Sequence, residues 1–149
     1  MDQPSVVEFP AVSLVCVERQ AQMSELPQVI PAGLDAVAAA NNGLKLGPPR
    51  VYYVNWCEGQ GEIWIGFVCE TDLEPGEGTM KKDIPGGTAM FARHAGPYNE
   101  LTRTWDAVLG AAHAHEMPMT GLSWEDYVEP VVPTTDVYVE LAVCAARAQ

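Results

Sequence analysis

The stretch GLSWEDYVEP, Gly121–Pro130, alternates with period two, as a strand does. Leu122, Trp124, Asp126 and Val128 fall on one side, and Ser123, Glu125 and Tyr127 on the other. An earlier stretch, GPPRVYYVNW from Gly47, carries the same pattern 74 positions upstream, so Tyr53 and Val54 fall on Tyr127 and Val128. The correspondence continues without a gap. EIWIGFVC from Glu62 lies on DVYVELAV from Asp136, matching Ile63 with Val137, Trp64 with Tyr138, Ile65 with Val139 and Phe67 with Leu141. Two strands matched at one spacing indicate an internal duplication.

The upstream parts agree loosely, at a spacing of 75 rather than 74. PAVSLVCVE from Pro10 resembles PGGTAMFAR from Pro85, and a helical pattern follows each. Leu26, Ile30, Leu34 and Val37 recur at helical spacing, with Ser24 as the expected N-cap and Gly43 as the stop. Pro27 and Pro31 belong near the first turn or kink it. Leu101, Trp105, Val108 and Ala112 form the second stripe, between Gly96-Pro97 and Pro118. Each half therefore reads strand, helix, strand, strand. The expected fold is α+β: an antiparallel sheet with two helices on one face and a ligand groove on the other. It forms one domain of two pseudo-repeats, about 5–70 and 79–145, joined by the acidic Gly/Pro linker TDLEPGEGT.

The totals bound the chemistry. At 149 residues, 48% hydrophobic and 19% charged, the chain can bury a core. Its net charge of −12 disfavours direct nucleic-acid binding and attracts cations. No signal peptide, membrane span or helix-turn-helix reader is expected, which points to a cytoplasmic protein. Cys16, Cys57, Cys69 and Cys144 form no CxxC pair, and three lie in apolar strand-like runs, where buried reduced thiols are expected. No metal or cofactor is expected. His113 and His115 would diverge by about 200° on a helix and could not share an ion. His94 reads as a contact to the turn that follows it, and Met117 and Met119 as core filling. Arg93 is a candidate partner for an acid. No GxSxG and no phosphate loop is present.

The last strand orients the sheet. Val137, Val139, Leu141 and Val143 face the helix, leaving Tyr138 and Glu140 on the second face. A symmetric hairpin pairs Glu125 with Glu140 and Tyr127 with Tyr138, putting all four on that face. Opposed carboxylates among rings repel unless one is protonated or a cation neutralises them. Aromatic walls add cation–π attraction of about 0.5–2 kcal/mol each. The first repeat contributes Tyr53 and Trp64, with Val51 and Gly66 in place of the acids. The alternative is a solvated face with idle acids.

These residues resemble a known family. The run from Ile84 to Val143, with its His94-Ala95-Gly96-Pro97-Tyr98 turn, Glu125-x-Tyr127 strand and terminal apolar strand, is similar to the second half of the GyrI-like, or AraC-type, effector-binding domain. The resemblance implies a groove that, in multidrug-responsive (BmrR-like) members, takes lipophilic cations with a buried Glu, here Glu125, beside Tyr127, Tyr138 and Glu140. It implies a sensor or sequestering protein for small molecules. Two alternatives come with it. One is a hydrolase of strained, cyclopropane-bearing compounds, with Glu125 and Glu140 catalytic. The other is a gyrase-inhibitor-like module that binds a protein partner.

Overall fold

A computed structural model describes residues 3–97, 100–129 and 134–142. The strands are β1 (Ser5–Phe9), β2 (Val12–Gln22), β3 (Pro49–Cys57), β4 (Gln60–Cys69), β5 (Met80–Ile84), β6 (Gly87–Ala95), β7 (Met119–Glu129) and β8 (Thr134–Leu141). The helices are α1 (Leu26–Ala40) and α2 (Leu101–Ala114). The chain divides into two compact units, Ala11–Pro85 and Met1–Pro10 with Gly86–Gln149.

In the Ala11–Pro85 unit the strand order is β3-β4-β2-β5, and in the other it is β7-β8-β6-β1. The fold is α+β, and the orders correspond strand for strand, as the duplicated pattern requires. Each unit holds the expected strand, helix, strand, strand and gains an edge strand from the opposite half of the sequence. β1 pairs antiparallel with β6, and β5 with β2. Both edge strands are short, and neither was read from the sequence pattern.

α1 packs on β2 and β4. Its stripe buries Gly33 and Val37 fully and Leu26, Ile30 and Leu34 partly. The helix is capped at Glu25, one residue after the expected Ser24. A 3-10 turn at Met23–Glu25 precedes it, and the Glu25 side chain accepts the Gln22 amide. Pro31 sits inside the helix on its exposed side. At the other end the buried Asn41 bonds back to the Val37 carbonyl at 2.9 Å and accepts the Gly76 amide at 2.8 Å. Its Nδ2 also reaches the Thr79 hydroxyl. The acidic segment between the repeats is thus pinned to the end of α1 rather than hanging free.

α2 packs on β6 and β8. Val108 and Ala112 enter a core of Met90, Ala92, Val137, Val139 and Leu141, with Leu101, Trp105, Met117 and Met119 packed against it. The predicted stripe is therefore the buried one, joined by Thr104. Among the described residues, no helix is long and apolar enough to cross a membrane.

Two predictions arise from this packing. Gly66 pairs with Cys16, and a Cβ there would overlap the Val15 carbonyl oxygen. Gly66→Ala should cost about 3 kcal/mol and visibly lower Tm; an unchanged Tm would refute the close approach. Cys16 is buried as expected, Cys69 is half-buried and Cys57 exposed, while Cys144 lies outside the described residues. Burial pushes the Cys16 thiol from 9.0 to about 12. The unfolded thiol ionises above pH 9.0 while the folded one stays neutral, so its contribution to stability falls as pH rises toward 12. At pH 8 a thiol reagent should label Cys57 rapidly and Cys16 only on unfolding. Mass spectrometry of the labelled protein reads the difference.

Candidate functional site

The β7–β8 register decides which side chains meet. Glu125 is paired with Val137, Trp124 with Tyr138 and Tyr127 with Thr135. The expected pairing of Glu125 with Glu140 and of Tyr127 with Tyr138 does not form. Irregularities between Met119 and Ser123 and between Tyr127 and Glu129 shift the register away from a symmetric hairpin. The shift moves the side chains from Ser123 to Tyr127 to the face opposite to the expected one. Glu125 and Tyr127 therefore lie with Val137 and Val139 on the side covered by α2. Tyr138 and Glu140 lie on the other side, and the four proposed residues separate into two pairs.

Under α2, Glu125 is 4% exposed. Both carboxylate oxygens accept hydrogen bonds. The Trp105 indole donates to Oε2 at 2.6 Å and the Tyr127 hydroxyl to Oε1 at 2.7 Å. Short contacts of this kind to a carboxylate are among the stronger hydrogen bonds. One donor comes from the helix and the other from two residues along the same strand, so the acid is held between two elements. Neighbouring polar groups extend the cluster. His94 is paired with Thr135 across β6–β8 and contacts the Thr104 hydroxyl with Nδ1 at 3.1 Å. Its Nε2 meets the Pro97 carbonyl at 2.9 Å. His94 thus ties the Gly96-Pro97 turn to α2, the turn contact expected of it. Tyr98 lies outside the described residues.

The opposite face of the same strands is aromatic. Trp124 stacks on Tyr138 with ring centroids 4.9 Å apart and planes at 14°. Phe91 packs on Tyr138 and Phe9 meets Trp124 edge-on, each at 4.8 Å. Arg93 clamps Asp136 with two bonds of 2.7 and 3.0 Å. Glu140 accepts the Thr120 hydroxyl at 2.7 Å.

Tyr53 and Trp64 belong to the other unit. Tyr53 pairs with Ile63 and Trp64 with Tyr52, so the two project to opposite faces of β3–β4. Tyr53 meets the Trp56 edge. Trp64 carries the Lys82 ammonium 4.3 Å from its ring centre and donates to Glu62 at 2.6 Å.

Sequence reading placed Trp105 in an apolar stripe and missed its donor role; a lone indole in a helix stripe one strand away from a buried acid is the signal that was available. His113 and His115 do not diverge as a helix would make them. α2 ends at Ala114, His115 is extended, and both line a hollow of about 370 Å³ with Met117 and Met119. Among the described residues no three His, Cys, Asp or Glu side chains gather closely enough to hold a metal.

Neither protein-family models nor curated proteins give a match to the sequence. Solved structures do. The EcmrR C-terminal domain superposes with a TM-score of 0.72 at 18% identity, covering 94% of this chain and 97% of that one. The fold is that of GyrI-like effector-binding domains. The chain spans 58% of the EcmrR chain seen in a DNA complex, at 19% identity and a TM-score of 0.72. SAV2435 bound to tetraphenylphosphonium matches at a TM-score of 0.68 and 10% identity, covering 97% of each chain. A hydrolase from Listeria innocua matches at 0.62 and 10% identity, covering 94% of this chain and 92% of that one.

Because Trp105 and Tyr127 serve one carboxylate, their removal should not be independent. Trp105→Phe and Tyr127→Phe should each lower stability by about 1–3 kcal/mol, with the double variant departing from the sum. Urea denaturation measures all three. Strictly additive losses would contradict a shared acceptor.

Proposed function

We propose that the protein binds small lipophilic cations at Glu125, as a sensor or sequestering protein. The observation that carries the reading is a carboxylate buried under α2, flanked by an indole and a phenol, in a chain of net charge −12. A cation arriving there gains the carboxylate's charge, and its apolar body packs among aromatic side chains. Reaching the acid displaces the Trp105 or Tyr127 donor, so ligand entry and local rearrangement of α2 or β7 are linked. SAV2435, of similar fold, is bound to tetraphenylphosphonium, itself a lipophilic cation, which supports the reading. Tyr53 and Trp64 enter it only as aromatic residues at equivalent positions of the other repeat, and Tyr138 and Glu140 as residues of the opposite face.

A second reading is favoured by one observation. The Tyr127 hydroxyl lies 2.7 Å from Glu125, a pair suited to moving a proton, and a protein of similar fold is a hydrolase. Glu140 has no direct part in such chemistry, since it faces away from Glu125.

Titration with tetraphenylphosphonium tests the first reading. At about 100 times Kd it should stabilise the protein by about 2.7 kcal/mol, seen as a raised Tm. Glu125→Gln should fold and lose the shift. A shift that survives in Glu125→Gln would move the binding site elsewhere. Turnover of an activated ester or strained cyclopropane that is lost in Glu125→Gln would favour the hydrolase.

A further inference from the structure

The cluster under α2 contains one polar atom whose needs the fold does not meet. Thr135 is 0% exposed, and its Oγ1 makes no hydrogen bond among the described residues. It lies on β8 between His94 on one side and Tyr127 on the other, sharing their face and that of Glu125. The polar atoms beside it are turned elsewhere. The His94 ring meets Thr104 and Pro97, and the Tyr127 hydroxyl meets Glu125. Leaving a buried hydroxyl unmet is costly, and folded proteins rarely do so.

We propose that Thr135 is a specificity-determining residue of the Glu125 site: its hydroxyl accepts a hydrogen bond from an N–H of the bound cation. The inference rests on the binding reading above and narrows its ligand class. The preferred ligands are protonated amines or amidines with an aromatic or aliphatic body. Permanently charged ions without a donor, such as quaternary ammonium or phosphonium, bind through charge and rings alone. Glu125 attracts both kinds, while only the first satisfies Thr135. One hydrogen bond from a cationic donor gained in a dry site corresponds to a preference of about tenfold or more.

The test uses two probes differing at one position: 4-biphenylmethyl-dimethylamine, protonated at neutral pH, and its trimethylammonium counterpart. Calorimetric titration of the wild-type chain should give a Kd about tenfold or more lower for the N–H ion. Thr135→Val should bring the two Kd values together, chiefly by weakening the N–H ion, and Thr135→Ser should retain the preference. Stability supplies a readout that needs no ligand. Removing an unmet hydroxyl from a buried site should leave the Tm of ligand-free Thr135→Val unchanged or raise it; a clear drop would show that the hydroxyl is already satisfied and would overturn the inference. Equal affinities in the wild type, or a preference that persists in Thr135→Val, would overturn it as well while leaving the binding reading standing. Binding of neither ion, or affinities untouched by Glu125→Gln, would remove the binding reading and this inference with it.

Discussion

Side chains along a strand alternate, so the pairing of Glu125 with Val137 commits its carboxylate to the space beneath α2. The rest of the site is a consequence of that commitment. An acid placed there without partners would cost several kcal/mol. Trp105 and Tyr127 meet the need from two directions, and Trp105 also packs against the core of its unit. The helix is therefore positioned by oil and by the acid together. Whatever reaches the carboxylate must compete with a contact that also helps seat α2.

The two faces of the same four strands carry different chemistry. The helix side holds a compact polar cluster of Glu125, Tyr127, Thr135, His94 and Thr104. The other side holds the Phe9, Trp124, Tyr138 and Phe91 stack with the Arg93–Asp136 clamp beside it. The duplicated unit repeats the topology without the acids. Val51 stands where the repeat has Glu125. Gly66 stands where it has Glu140, because the neighbouring strand passes too closely for any side chain. Its exposed-face aromatic, Trp64, is capped by the chain's own Lys82, which is itself paired with Glu18 at 2.8 Å. The two units thus share a strand order, while the acids Glu125 and Glu140 belong to one of them.

Much of this was legible in the residues. The helices and the six longer strands follow from periods of 3.6 and 2, which are local properties of a chain. Glu125 stood out because an acid alternating with Tyr127 on one face of a strand must be either solvated or held. The edge strands β1 and β5 were not legible, since five-residue runs such as SVVEF and MKKDI carry little periodicity. Their partners lie in the opposite half of the sequence. The donor role of Trp105 was hidden for a related reason: an indole counts as apolar in a stripe, and its N–H matters only once a neighbour is in place.

The sequence by itself determined the α+β class, the repeated strand, helix, strand, strand pattern, the positions of both helices and the presence of an acid on the Glu125-x-Tyr127 strand. Those are set by composition and by spacing along the chain. Only the tertiary structure decided which face that acid occupies, what holds it, and that Tyr138 and Glu140 are not its companions. The physical reason is parity. A small irregularity between Tyr127 and Glu129 exchanges the faces of the side chains from Ser123 to Tyr127, and no pattern within the strand records where it falls.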